Sequence, residues 1–291
     1  MIRVRAPATS ANLASGFDVF GLALSEPADQ LTVEATDRTT IEVRGIGADT
    51  IPADPEANIA GIVADLLDVT AAITIEKGIR PSSGLGSSGA SAAGAVVALH
   101  HLYDLGLDSD EQVAIAAEAE GEIAGEAHAD NVAAAIHGGF VIATGQGTLS
   151  FDPDLSLVVC LPDISVSTED ARAVLPASVS LRDHVEAIGN ASTLVTGMGR
   201  SDPTLVGAGM ADAIVTPHRA PLVPRFDAVC DAARDAGAEG VALSGAGPAL
   251  ISVCPPAAQE AVAAAMLDAF SDGEIPATVW QTTTGDGIEI Q

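Results

Sequence analysis

Pro81-Ser82-Ser83-Gly84-Leu85-Gly86-Ser87-Ser88-Gly89-Ala90-Ser91 places a glycine- and serine-rich turn between two segments of different period. Ahead of it, Ala72-Ile73-Thr74-Ile75-Glu76-Lys77 alternates as a strand does; behind it, Ala92 to Leu102 is rich in alanine and favours a close-packed helix. The first N–H groups of a helix have no intrahelical partner and carry the positive end of its dipole, so a turn of this kind is a cradle for an anion, above all a phosphate. Glycines let the ligand approach the backbone. No Lys-Ser or Lys-Thr pair follows, as a Walker loop requires, and the third glycine of a dinucleotide fingerprint is missing.

The chain has 291 residues, enough for two ordinary domains with substantial cores. Forty acidic residues face twelve basic ones, a formal charge of −28, and Lys77 is the only lysine. Such a surface repels nucleic acid and anionic membranes, so neither is expected as a partner. The acids are spread along the chain and read as a solvated coat, whose self-repulsion is relieved in concentrated salt, where the Debye length shrinks to roughly 3 Å at 1 M. A halophilic cytoplasm is the expected setting. Cys160, Cys230 and Cys254 stand apart in apolar runs and suggest buried, reduced thiols. The N-terminus enters a strand pattern directly, with no apolar segment long enough for a signal peptide, and no run approaches the length of a membrane span. The six histidines lack ligand spacing.

Arg3–Ala6, Gln30–Ala35, Ile41–Val43 and Ala72–Lys77 read as strands, and Ala57–Leu67 and Ser109–Ala127 as helices. Ser109 with Gln112 looks like a capping box. Phe140–Ala143 returns to strand. From Leu155 onward, Leu157–Leu161 is a buried strand, Arg182–Met198, Pro203–Ile214 and Phe226–Ala236 are helical, and Val241–Leu243 and Leu250–Cys254 are strands joined through Ser244-Gly245-Ala246-Gly247-Pro248. A helix over Ala257–Ala269 and a strand over Ala277–Gln281 complete a split βαβ-like pattern.

Three segments in order resemble the three motifs of the GHMP kinase superfamily: Pro7-Ala8-Thr9-Ser10-Ala11-Asn12-Leu13 running on to Gly16-Phe17-Asp18, the glycine-rich turn, and Ser244 to Pro248. The first motif, with Gly21-Leu22-Ala23-Leu24, is similar to that of the homoserine kinase branch, as are His128-Ala129-Asp130-Asn131-Val132 and Thr168-Glu169-Asp170-Ala171-Arg172. Ala14-Ser15 departs from a frequent Gly-Pro, and Gly89 from a usual Ala. The resemblance implies an α+β fold with a ribosomal protein S5 domain 2-like N-terminal domain (1–154) and a ferredoxin-like C-terminal domain (155–291). It implies a cytoplasmic kinase that transfers phosphate from ATP to L-homoserine in threonine biosynthesis, and a homodimer.

The same resemblance distributes the roles. The turn from Pro81 to Ser91 would hold the ATP phosphates, with Asn58 and Thr168 bordering the nucleotide. Ser88 would reach Mg²⁺, with Ser87 its competitor, and Glu120 is the metal carboxylate that family spacing from His128 selects among Glu118, Glu120, Glu122 and Glu126. Mg²⁺ needs few protein ligands. Arg172 and Arg219 would take the substrate carboxylate, and Asn12, Asp18 and Asp130 its ammonium end. Asn131 would approach the hydroxyl; an amide cannot take a proton at neutral pH, so attack without a protein base is expected. Another small-molecule kinase of this superfamily and a catalytically silent nucleotide sensor are the competing readings.

Overall fold

The computed structural model describes residues 1–124 and 129–291. The first sheet is built from β1 (Ile2–Ala11), β2 (Phe20–Ala35), β3 (Thr40–Gly45) and β4 (Ala71–Lys77), with α1 (Ile59–Leu66) leading into β4. Then come α2 (Ser87–Tyr103), α3 (Ser109–Ala124), α4 (Ala129–His137) and the hairpin of β5 (Phe140–Thr144) and β6 (Gly147–Phe151). β1 pairs antiparallel with β2, β2 with β4, and β3 lies parallel to β4 at the edge, while β5 borrows the start of β2. Sixteen residues let β2 serve both purposes: Phe20–Leu22 meet β5, and Gln30–Ala35 meet β4.

α2 is the central helix of this half. Its alanines and Val96, Val97 and Leu99 are buried, and its small residues let it lie close on the sheet; a Cβ on Gly94 would come within 2.7 Å of Leu31. α3 starts one residue earlier in its capping than Ser109 and Gln112 suggest. Asp108 Oδ1 accepts from the Glu111 N–H at 2.9 Å and the Asp108 N–H donates to Glu111 Oε2 at 2.8 Å, so Asp108 and Glu111 form the box. The end of the expected Ser109–Ala127 helix, with Glu126 and His128, lies outside the described residues.

The second sheet holds β7 (Ser156–Pro162), β8 (Gly240–Leu243), β9 (Leu250–Cys254) and β10 (Ala277–Thr283) in the order β10-β7-β9-β8, all antiparallel. Between β7 and β8 run α5 (Thr168–Ala173), α6 (Leu181–Met198), α7 (Pro203–Gly209), α8 (Thr216–Arg219) and α9 (Phe226–Asp235); α10 (Gln259–Ser271) precedes β10. This is the strand order of a ferredoxin-like unit. α7 stops at Gly209, short of Ile214. Gly207 and Gly209 press on the backbones of Glu239 and Leu194, and the Asp212 carboxylate accepts the N–H groups of Ile214 and Val215 to start α8.

The chain then returns. β11 (Glu289–Ile290) pairs with β1, and Leu24 and Gly138 bridge to Thr284 and Asp286. One apolar cluster runs from Val4 and Leu31 through Leu157 and Val159 to Ile251, which ties the two sheets together, and a second cluster fills the far side of the second sheet around Val229, Met266 and Phe270. Cys160, Cys230 and Cys254 are buried free thiols, and burial pushes the first two up to about 12. Among the described residues no helix is long and apolar enough to cross a membrane.

Candidate active site

The turn that opens the sequence argument sits where the two sheets meet. Gly86 takes a left-handed conformation just ahead of α2 and no side chain caps the helix, so its first N–H groups face a cavity of about 500 Å³. Gly84, at φ +80°, lies so close to the Ser244–Pro248 loop that a Cβ would stand 2.4 Å from the Ser244 carbonyl. Ser244 Oγ donates to the Gly84 carbonyl at 2.7 Å and the Ala249 N–H donates to the Ser83 carbonyl at 3.1 Å. The third motif is thus a hairpin loop that braces the first turn.

Beneath the turn lies a pair the sequence argument did not foresee. Lys77 and Asp29 form a fully buried ion pair. Lys77 Nζ also donates to the Ser87 carbonyl at 2.8 Å and to Ser91 Oγ at 3.0 Å, while Asp29 Oδ1 accepts the N–H groups of Gly78 and Ile79, each at 2.9 Å. Burial raises the Asp29 pKa and lowers that of Lys77, and each partner opposes the shift in the other. The lone lysine therefore fixes the two ends of the turn. Its position at the close of a strand, directly before the glycines, was the available signal; its partner lies 48 residues away.

Of the two competing serines, Ser87 donates its hydroxyl to the Ile79 carbonyl at 2.9 Å and stays within the turn. Ser88 bonds to Glu120. Burial pushes the Glu120 carboxyl up to about 7; the Ser88 hydrogen bond lowers it and the neighbouring Asp130 raises it. Glu118 and Glu122 are exposed. A hydroxyl and a carboxylate side by side in a half-buried position, with a second carboxylate near and no lysine available, form an oxygen donor set that suits Mg²⁺ and would be relieved by its charge.

Another part of the cavity wall carries the charged side chains. Arg172 holds Asp18 in a two-pronged contact, 2.8 Å to Oδ2 and 3.3 Å to Oδ1. Arg219 is buried; its Nε donates to the Ala171 carbonyl at 3.0 Å and its Nη1 to the Gly245 carbonyl at 3.1 Å. Burial and then Arg172 lower its pKa, while Asp18, Asp212 and Asp130 raise it. Both guanidinium groups lie over Phe17, 5.3 and 5.0 Å from the ring centroid, a contact hidden in the Gly16-Phe17-Asp18 motif.

Asn12 orders the loop around it: Nδ2 donates to the Gly245 carbonyl at 2.9 Å and Oδ1 accepts the Asp18 N–H at 2.9 Å, which leaves one N–H and one lone pair of the amide over. Asn12, Leu13 and Ala14 all have positive φ, an uncommon run that aims Asp18 at the cavity from a tight loop. Ser15, in place of a proline, donates its hydroxyl to the Gly209 carbonyl at 2.7 Å and joins this loop to α7. Asn58 likewise caps α1 through Oδ1 and donates to the Pro52 carbonyl at 2.7 Å. Gly89, in the first turn of α2, leaves room for Asn131; a Cβ there would lie 3.1 Å from Asn131 Cβ.

Asn12, Asp18, Asn58, Ser88, Glu120, Asp130, Asn131, Thr168, Arg172 and Arg219 all line the one cavity, together with the turn except for Leu85 and Ala90, which point into the core. Ile51, Pro52, Ile59 and Ile123 add apolar walls near Asn58 that sequence did not place.

Comparison with known proteins agrees with this geometry. The model described as the GHMP kinases N terminal domain matches residues 58–139, and that described as GHMP kinases C terminal matches residues 194–272, together more than half the chain. Homoserine kinase of Halorubrum lacusprofundi is 59% identical over 290 residues, covering 100% of this chain and 99% of that protein; the one of Natronomonas pharaonis is 54% identical, covering 100% of both. The crystal structure of homoserine kinase from Cytophaga hutchinsonii superposes with a TM-score of 0.91 at 34% identity, covering 100% of this chain and 97% of that one. The chain belongs to the GHMP kinases and, within them, to the homoserine kinase family.

Proposed function

We propose that the chain transfers the γ-phosphoryl group of ATP to the hydroxyl of L-homoserine, giving O-phospho-L-homoserine and ADP in threonine biosynthesis. The observation that carries this reading is the single cavity with a helix start on one wall and a paired carboxylate and guanidinium on the other, with Asn131 lining the same space. An amino acid zwitterion presents the same two charges as the Asp18–Arg172 pair. Its ammonium can replace the guanidinium at Asp18, assisted by Asp130, and its carboxylate can turn to Arg172 and Arg219. The γ-hydroxyl then reaches toward Asn131.

Backbone N–H groups from Gly84 to Ser88 orient the triphosphate, and the Lys77–Asp29 pair keeps them in place. Apolar Ile51, Pro52, Ile59 and Ile123 suit an adenine ring near Asn58. Ser88 and Glu120 would hold Mg²⁺, which when bound neutralises phosphate charge as the leaving oxygen develops. Asn131 takes no proton. The hydroxyl proton passes to phosphate or water as the loose transition state forms. A coupled assay of ADP release with L-homoserine, shikimate, mevalonate or no acceptor, in molar KCl, tests the reading. Homoserine-dependent release supports it; preference for another alcohol supports a different kinase of the superfamily, and no acceptor-dependent release supports a nucleotide sensor.

The charge of −28 and the halophilic relatives support a cytoplasm rich in salt. Melting temperature should rise steeply from dilute buffer to molar KCl, and a flat response contradicts this. The exposed apolar side chains Val179, Leu181, Val185 and Ile188 support a homodimer, which light scattering in molar KCl tests by mass.

A further inference from the structure

Thr9 belongs to the first motif but has no part in the binding scheme above. It is fully buried and does not line the cavity. The β1–β2 register breaks between Pro7, opposite Ala28, and Thr9, opposite Ala23, an irregularity of the kind that re-aims a side chain. Thr9 then makes two long-range contacts. Its N–H donates to the Leu85 carbonyl at 3.1 Å and its hydroxyl donates to Asn131 Oδ1 at 2.7 Å. Both lie under the phosphate turn: a Cβ on Gly86 would fall 2.0 Å from Thr9 Oγ1 and 2.8 Å from Asn131 Oδ1.

The Asn131 amide has one end that accepts and one that donates. Its Nδ2 lies 3.2 Å from Asp130 Oδ1, which also accepts the Asn131 N–H at 2.8 Å. Turning the amide over would set its oxygen against the Asp130 carboxylate, acceptor against acceptor. Asp130 therefore requires the NH₂ group on its own side, and Thr9 satisfies the oxygen left on the other. Asp130 selects the orientation, and the Thr9 hydroxyl, which can donate or accept, donates to the oxygen that orientation presents.

We propose that Thr9 is a positioning residue for phosphoryl transfer: its hydroxyl anchors the oxygen end of the Asn131 amide, whose NH₂ group Asp130 turns toward itself and the acceptor hydroxyl, and couples that group to the phosphate turn. This rests on the kinase reading above. Thr9 touches neither substrate and acts through Asn131.

Thr9→Val, close to isosteric, should lower kcat about five- to tenfold, the weight of one neutral hydrogen bond, with the KM for ATP within about twofold of wild type. Thr9→Ser should restore most of the rate. In an Asn131→Ala background, Thr9→Val should cost less than about twofold, because its only route of action is gone. If Thr9→Val does not fold, Thr9→Ala takes its place in the same cycle. The inference is overturned if the Thr9 and Asn131 losses multiply, or if the serine variant is as slow as the valine one. A second readout needs no turnover: the Asn131 side-chain NH₂ signals in ¹⁵N-resolved NMR, identified by their loss in Asn131→Ala, should move in Thr9→Val and hold in Thr9→Ser. Unmoved signals sink the inference even in an active enzyme, and moved signals uphold it even if homoserine proves the wrong acceptor.

Discussion

In the proposed reaction the two walls of the cavity would recognise their ligands by different means. The wall proposed for phosphate is local: one turn, Pro81 to Ser91, with two glycines at positive φ and an uncapped helix start, would do the work with backbone dipoles. The acceptor wall is assembled from Asp18, Asp130, Arg172 and Arg219, which meet only because the second sheet packs on the first. In a protein whose surface charges are spread so widely, the proposed recognition of phosphate would thus depend least on side-chain charge, and that of the amino acid most.

Glu120 belongs to the phosphate side yet acts through its charge, and removing it should have the largest effect. Glu120→Gln should lower kcat about a thousandfold by loss of a carboxylate from the metal site, while exposed Glu122→Gln stays near wild type; equal losses would show that the acidic helix acts as a whole. On the acceptor wall, Arg219→Met should raise the KM for homoserine about a hundredfold and leave that for ATP within about threefold. A similar rise in both would merge the two walls into one.

The third effect concerns pH. The Glu120 carboxyl is pushed up to about 7 in the folded protein, above its ordinary value of 4.5, so the unfolded chain gives up this proton first. Without nucleotide or metal, its contribution to stability should therefore be full at low pH and fall by on the order of 3 kcal/mol as pH rises from about 4.5 to about 7. Denaturant titrations of wild type and Glu120→Gln should differ by that slope. Gly84→Ala tests the local wall. With φ +80° and the Ser244 carbonyl 2.4 Å from a new Cβ, it should cost about 2 kcal/mol of stability and raise the ATP KM about tenfold, with little change for homoserine.

The difference between the walls also explains what could be read from sequence. The turn, its strand and its helix were legible because the strand period, the glycines and the alanines are neighbours in the chain. The Ser88–Glu120 match needed the family spacing, and Ser87 was separated from Ser88 only by its bond to the Ile79 carbonyl. Partners that the fold brings from afar left no local trace: Asp29 for Lys77, Thr9 for Asn131 at a separation of 122, and Asp18 for Arg172 at 154. Asn12 and Asn58 show a further limit. Both line the cavity and both also hold backbone, a second task that residue type does not reveal. α7 ends at Gly209, and Asp212 then takes the N–H groups of Ile214 and Val215 for the next helix, a break that the apolar pattern of Pro203–Ile214 does not register. The return of β11 to β1 is a pairing of the two ends of the chain, invisible to any local pattern.

Phosphorus NMR of a turnover mixture containing ATP, Mg²⁺ and L-homoserine in molar KCl follows the transferred group itself. A new phosphomonoester signal, coupled to the protons of the adjacent CH₂ group, should grow in step with ADP. Growth of inorganic phosphate alone, or ADP formed at the same rate without homoserine, would contradict it.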